Sequence, residues 1–167
     1  MVELQPMQER HFEQTHAWLT GSAELRAQID SLDVPTPEGN RAYWRRNLQD
    51  GTREDFAIVA GGKRHIGNCG LVAINKHRGE AELWIYLAEG RQGGLGGKAL
   101  KVLLDRAFGP LGLKRVSLRV VASNVRVVSF YERAGFTVEG RARGETVQDG
   151  KTVDSILMSV LATERAE

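Results

Sequence analysis

Apolar residues along this chain repeat with two different periods, and the switch between them outlines the fold. Residues 11–19 carry a helical repeat that points Phe12 and Trp18 inward. Val34-Pro35-Thr36-Pro37-Glu38-Gly39 breaks the pattern. Residues 41–48 resume it, with Tyr43, Trp44 and Leu48 available for packing. The period then shortens to two. Residues 56–60 read as a strand, Gly61-Gly62 as a turn and residues 65–74 as a returning strand, which together predict a hairpin. Residues 80–87 form a third strand. Ala81, Leu83, Ile85 and Leu87 share one face, and Glu82, Trp84 and Tyr86 share the other. A glycine-rich loop follows at 91–97. Leu100, Leu103, Leu104, Ala107 and Phe108 then define a helical stripe that ends at Gly109-Pro110. Residues 116–121 read as a strand. Residues 124–134 read as a helix with Val127, Phe130, Tyr131 and Ala134 on one face and Gly135 as its stop. Phe136 opens a last strand region, and Asp149-Gly150 turns the chain into residues 156–161. The order is two helices, strands, helix, strand, helix, strands: an α/β chain with a mixed sheet and helices on both faces.

Composition narrows the class. A chain of 167 residues fits one domain, 1–167, able to bury a core without disulfides or metals. Its formal charge of +2 gives no reason to expect nucleic acid. The basic run Arg41, Arg45, Arg46 reads as a solvated helix face. The lone cysteine, Cys69, excludes an internal disulfide and reads as a buried strand residue, which fits a reducing compartment. His11, His16, His65 and His77 lack metal-ligand spacing, so no metal is expected. The first residues, MVELQPMQER, lack a signal-peptide pattern, and no apolar run reaches the ~18 residues of a membrane span. The expected location is cytoplasmic, with no membrane partner.

Candidate chemistry concentrates at Arg91-Gln92-Gly93-Gly94-Leu95-Gly96-Gly97-Lys98, between a strand and a helix. Consecutive backbone N–H groups there can form an anion-binding nest, helped by the helix N-terminus, and glycine lets a diphosphate come close. Arg91 and Lys98 add charge. The plainer alternative is a mobile glycine loop. A Walker loop would need Ser or Thr after the lysine, where Ala99 stands. A dinucleotide fingerprint would follow the first strand of a βαβ unit, whereas at least three strands come first here.

Arg91-Gln92-Gly93-Gly94-Leu95-Gly96 matches in full the Arg/Gln-x-x-Gly-x-Gly/Ala motif of the GNAT N-acetyltransferases. The stretch from Asn124 to Phe136 resembles the same family's Asn…Tyr…Gly-Phe signature through Asn124, Tyr131 and Gly135-Phe136, with Val127 replacing its usual small residue. The resemblance extends over residues 56–161 and more weakly through the first third. Ile66-Gly67-Asn68-Cys69-Gly70-Leu71, Ala81-Glu82-Leu83-Trp84-Ile85-Tyr86-Leu87 and Asp149-Gly150-Lys151 look like the branch of ribosomal-protein N-terminal, spermidine and amino-sugar acetyltransferases. The fold implied is a bent, mostly antiparallel sheet splayed beside the glycine-led helix, with coenzyme A in the gap. The activity implied is transfer of acetyl from acetyl-CoA to a primary amine.

The same resemblance distributes roles. Leu87, Arg91, Gln92, Gly93, Gly94, Leu95, Gly96, Gly97 and Lys98 would hold the coenzyme, and backbone N–H groups of residues 85–87 the acetyl carbonyl. Asn124 would bond the pantetheine arm; on pattern alone it is also a good helix N-cap. Tyr131 would protonate the departing thiolate, for which a phenol pKa of ~10 is suited. On pattern alone it is a core tyrosine. Glu82 is the candidate base, directly or through water, if a buried surface raises its pKa; the alternative is an exposed or ion-paired carboxylate.

The acceptor stays open. A small cationic amine would want acidic residues such as Glu24, Asp30 or Asp33 near the thioester, and a peptide N-terminus an open cleft with backbone donors. Trp18, Tyr43 and Trp44 serve either an acceptor pocket or the core. A silent acyl-CoA-binding module would not need Tyr131 beside Asn124. The oligomeric state is equally open, a homodimer included.

Overall fold

The structure, a computed structural model, describes residues 1–28 and 34–165. Its strands are β1 (Val2–Pro6), β2 (Glu54–Ala60), β3 (Arg64–Asn75), β4 (Glu80–Leu87), β5 (Arg115–Val121), β6 (Thr137–Gln148) and β7 (Lys151–Leu161). The helices are α1 (Glu9–Gly21), α2 (Ala23–Gln28), α3 (Pro37–Leu48), α4 (Leu95–Phe108) and α5 (Val125–Arg133). Strand order is β1-β2-β3-β4-β5-β7-β6. The β4–β5 ladder is parallel, and β1–β2, β2–β3, β5–β7 and β6–β7 are antiparallel. The mixed, mostly antiparallel sheet expected from the sequence is therefore present.

The chain forms two compact units, Met1–Val72 with Trp84–Leu103, and Ala73–Leu83 with Leu104–Glu167. In the first, β1 pairs with β2 along its whole length, from Val2 opposite Ala60 to Pro6 opposite Phe56. The sequence reading missed β1. Val-Glu-Leu-Gln-Pro alternates too briefly to stand out, and Pro6 demotes it to an edge, where it sits. The short α2 was also unforeseen. Ser22 Oγ accepts from Leu25 N–H at 3.1 Å, and Leu25 is 1% exposed beside Leu19 and Tyr86. Thr36 caps α3 through Gly39 N–H, with Pro37 at its first position. Phe12 and Trp44 are buried together with Met7, as expected of the first two, and Trp18 is half-buried. Tyr43 and Leu48 are instead exposed, because α3 turns Trp44 and Asn47 inward.

The Gly61-Gly62 turn adopts the positive φ that favours glycine, closing the β2–β3 hairpin. The ladder then slips. Val59 faces His65, but Ile58 faces Gly67, which leaves Ile66 as an extra, bulged residue. The carbonyl of Ile66 accepts from both Ala88 N–H (2.9 Å) and Glu89 N–H (3.1 Å), ending β4 at Leu87. A Cβ on Gly67 would lie 2.2 Å from the Tyr86 carbonyl oxygen, so this close backbone approach admits only glycine.

In the second unit, β4 pairs with β5 for three residues only, from Glu80 opposite Arg115 to Glu82 opposite Ser117. β5 continues against β7 out to Val121 opposite Ser155. Val116, Leu118, Met158 and Val160 form a buried face. The two-residue turn Asp149-Gly150 has positive φ at both positions, the hairpin geometry its sequence predicts. β6 bulges at 143–145, where Asp154 accepts from Gly144 N–H at 2.8 Å and from Arg141 Nε at 2.7 Å.

Candidate active site

The predicted loop is shorter than expected. Gly90 and Gly94 take positive φ, and α4 begins at Leu95. Gly96, Gly97 and Lys98 are therefore the helix's first turn. The first α4 ladder bond runs from Lys98 N–H to Gly94 O at 3.2 Å, which leaves the N–H groups of Leu95, Gly96 and Gly97 without intrahelical acceptors. Residues 91–94, Gly97 and Lys98 are exposed, while Leu95 and Gly96 are half-buried. A Cβ at Gly94 or Gly97 would meet nothing within 4 Å, so both open onto free space. Farther along α4, Leu100, Leu103, Leu104 and Ala107 are at most 2% exposed and anchor the turn.

The Arg91 side chain is committed. Its Nε donates to the Leu87 carbonyl at 3.0 Å, and a terminal nitrogen pairs with Glu24 Oε1 at 3.0 Å. Glu24, weighed as a partner for a cationic acceptor, is thus tied to the loop instead. Asp30 and Asp33 lie outside the described residues. The half-buried Leu87 closes β4 at the Ile66 bulge.

Beneath this end of β4 is a buried polar network the sequence reading did not find. Asn68, 0% exposed, donates through Nδ2 to Thr15 Oγ1 (2.9 Å) and Tyr86 Oη (2.5 Å), and its Oδ1 lies 2.7 Å from His65 Nε2. Burial pushes the Tyr86 phenol up, so it stays protonated. The available signal was an asparagine inside an apolar strand run, which needs partners when buried. Cys69 beside it is fully buried and its thiol pushed up, as an inert strand cysteine would be. Arg45 pairs with Glu9 with both side chains mostly exposed, consistent with a solvated basic face.

In the second unit, Asn124 caps α5 by accepting from Val127 N–H at 3.4 Å. Gly135, at φ 100°, ends the helix, and Phe136 N–H reaches back to the Tyr131 carbonyl at 3.0 Å. Tyr131 is 7% exposed, with its ring edge-on to Phe130 (5.2 Å) and Phe136 (5.4 Å). Ala134, expected on the packed face, is exposed. Glu82 is also exposed, so the buried surface invoked for it is missing: it is the last β4 residue paired with β5. Its opposite-numbered neighbours Ala81 and Leu83 take the buried face of that segment. No trio of His, Cys, Asp or Glu with metal-site geometry occurs among the described residues. No helix among them is long and apolar enough to cross a membrane.

Comparison with known proteins agrees with this architecture. Residues 2–137 match the family described as acetyltransferase (GNAT) domain. The spermidine N(1)-acetyltransferase of Escherichia coli K12 is 26% identical over 160 residues, spanning 95% of this chain and 85% of that protein. A putative ribosomal N-acetyltransferase, YdaF, of Bacillus subtilis is 27% identical over 125 residues, 72% of this chain and 66% of that one. The crystal structure of the Vibrio cholerae spermidine N-acetyltransferase with CoA and spermine superposes with a TM-score of 0.91 at 22% identity, covering 98% of this chain and 96% of that one. With a family match over four-fifths of its length, a glycine-led α4 and an asparagine-capped α5, this chain belongs to the GNAT acetyltransferases.

Proposed function

We propose that this chain, working as one domain, uses acetyl-CoA to acetylate a small polycationic amine of the spermidine type. The acceptor class rests on one observation: the similarity to the Escherichia coli spermidine enzyme runs over 95% of the chain. The donor reading is supported by the free N–H groups at the start of α4 and by the open space above Gly94 and Gly97. A diphosphate fits that cradle, with the Lys98 ammonium adding charge. Gln92 and Gly93 would complete the rim, and Arg91 would hold the loop to β4 through Leu87.

Acetyl-CoA supplies an activated acetyl thioester. Around it, backbone N–H groups of residues 85–87 would donate to the carbonyl oxygen as charge develops there. Asn124 would use its amide on the pantetheine arm while keeping Oδ1 on the α5 cap. The Tyr131 phenol would hand its proton to the departing sulfur. Glu82, exposed, would accept the amine's proton through water. The reading is tested by steady-state assay of spermidine, glucosamine 6-phosphate and N-terminal peptides at equal concentration. Spermidine should give the highest kcat/KM. A peptide preferred over every polyamine would overturn the acceptor class and favour protein N-terminal acetylation. Glu82→Gln should lower kcat less than Tyr131→Phe does.

A further inference from the structure

A cavity of about 460 Å³ lies in the first unit between α1 and the β2–β3 turn. It is lined by residues that the acetyl-transfer reading leaves unused. Three cations reach it: Arg10, Lys63 and Arg64. The single carboxylate, Glu89, is taken by Arg64, with Nε to Oε2 at 3.2 Å. Arg10 donates only to the neutral amide of Gln5, at 2.8 Å, and Lys63 has no carboxylate partner among the described residues. Two positive charges therefore remain uncompensated at the mouth, which disfavours a polyamine there.

The floor adds a neutral donor. His11 is 5% exposed, and its Nδ1 accepts from Gln8 N–H at 3.0 Å, which places the ring proton on Nε2. That N–H has no partner among the described residues. Burial, then His65 and Arg10, lower the His11 pKa to about 4, so the ring remains a neutral donor at pH 7. His65, the second imidazole, sits edge-on at 5.1 Å. It is already committed: Asn68 spends its Nδ2 on Thr15 and Tyr86, so its Oδ1 receives His65 Nε2–H. The cavity thus touches a hydrogen-bonded chain that ends on Tyr86 of β4.

We propose that this cavity is a second ligand site, for a small dianionic oxyanion of the phosphate type, held by Arg10, Lys63 and the His11 Nε2–H. Two cations and one neutral N–H lining one small cavity supply the charge and the donors that a phosphate would take up. The site lies outside the acetyl-transfer machinery and goes beyond that reading.

The test is ¹⁵N-histidine NMR of the full chain at pH 7, titrated with inorganic phosphate in the presence of saturating acetyl-CoA, with His11 assigned by His11→Gln. Saturable movement of the His11 ring signal is expected, and the Arg10→Ala/Lys63→Ala variant should weaken it about tenfold or more, the loss of one to two charge-assisted bonds. Because the reporter is local, the readout stands even if acetyl-CoA does not bind. A phosphomonoester that binds more tightly than free phosphate would identify a phosphorylated metabolite as the occupant; equal affinity would identify phosphate itself. No His11 movement at millimolar phosphate would overturn the proposal. So would the same movement with chloride at matched ionic strength, or unchanged affinity in the double variant.

Discussion

The start of α4 and the body of α5 offer opposite kinds of chemistry. Around α4 the candidate groups belong to the backbone: N–H donors at Leu95, Gly96 and Gly97 without intrahelical acceptors, the first two residues half-buried and Gly97 exposed. On α5 they belong to side chains: a capping asparagine and a tyrosine buried between two phenylalanines. A backbone site tolerates a change of side chain so long as the path of the chain survives. A side-chain site tolerates small shifts of the chain but not the loss of one oxygen atom. The first region should therefore govern how tightly the donor binds, and the second how fast it reacts.

The largest effect expected tests the backbone half at its support. Gly67→Ala places a methyl group against the Tyr86 carbonyl at a distance no Cβ contact reaches. β3 and β4 must then separate, at a cost of about 3 kcal/mol or more, as for overpacking in a filled core. Chemical denaturation should show it, with activity falling alongside. Next comes Tyr131→Phe, expected to lower kcat about 10²-fold, the usual yield of a general acid, with KM for acetyl-CoA nearly unchanged. Gly94→Val should do the reverse. A β-branched residue at φ 68° is strained, and its side chain fills the space above the loop, so KM for acetyl-CoA should rise about tenfold while kcat changes less. A kcat effect at Gly94 larger than that at Tyr131 would dissolve the distinction between the two regions.

The last effect concerns stability and its dependence on pH. His11 has a folded pKa of about 4 against 6.5 when free, and His65 is also lowered. A depressed histidine pKa means that the unfolded chain binds the proton first as pH falls. Stability is then full above pH 6.5 and declines as pH drops toward 4. Thermal unfolding of wild type should show this slope, and His11→Gln should flatten it. An equal slope in both would remove His11 as its source.

These two regions were also unequally legible. The glycine turn, the Asn124 cap and the Gly135 stop could be read because local backbone rules enforce them, whereas the role expected of Tyr131 came from the family resemblance alone. The loop's exact extent was misread, since Gly96 and Gly97 are compatible with a helical first turn as much as with a loop. The exposure of Glu82 was not legible, because alternation identifies two faces of β4 without saying which is covered at each point along it. The Asn68 network and the Ile66 bulge depend on residues far apart in sequence, Thr15 with Asn68 and Ile66 with Ala88, so no local pattern announces them. β1 was missed for the same reason: its existence rests on β2, some fifty residues later.

The most direct test of the central claim is calorimetric titration of wild type, Tyr131→Phe and Gly94→Val with acetyl-CoA, with ATP and NAD as controls. Saturable binding of acetyl-CoA but not of the controls, unchanged in Tyr131→Phe and weakened about tenfold in Gly94→Val, is the predicted result. A folded wild-type protein that takes up no acetyl-CoA would contradict the account.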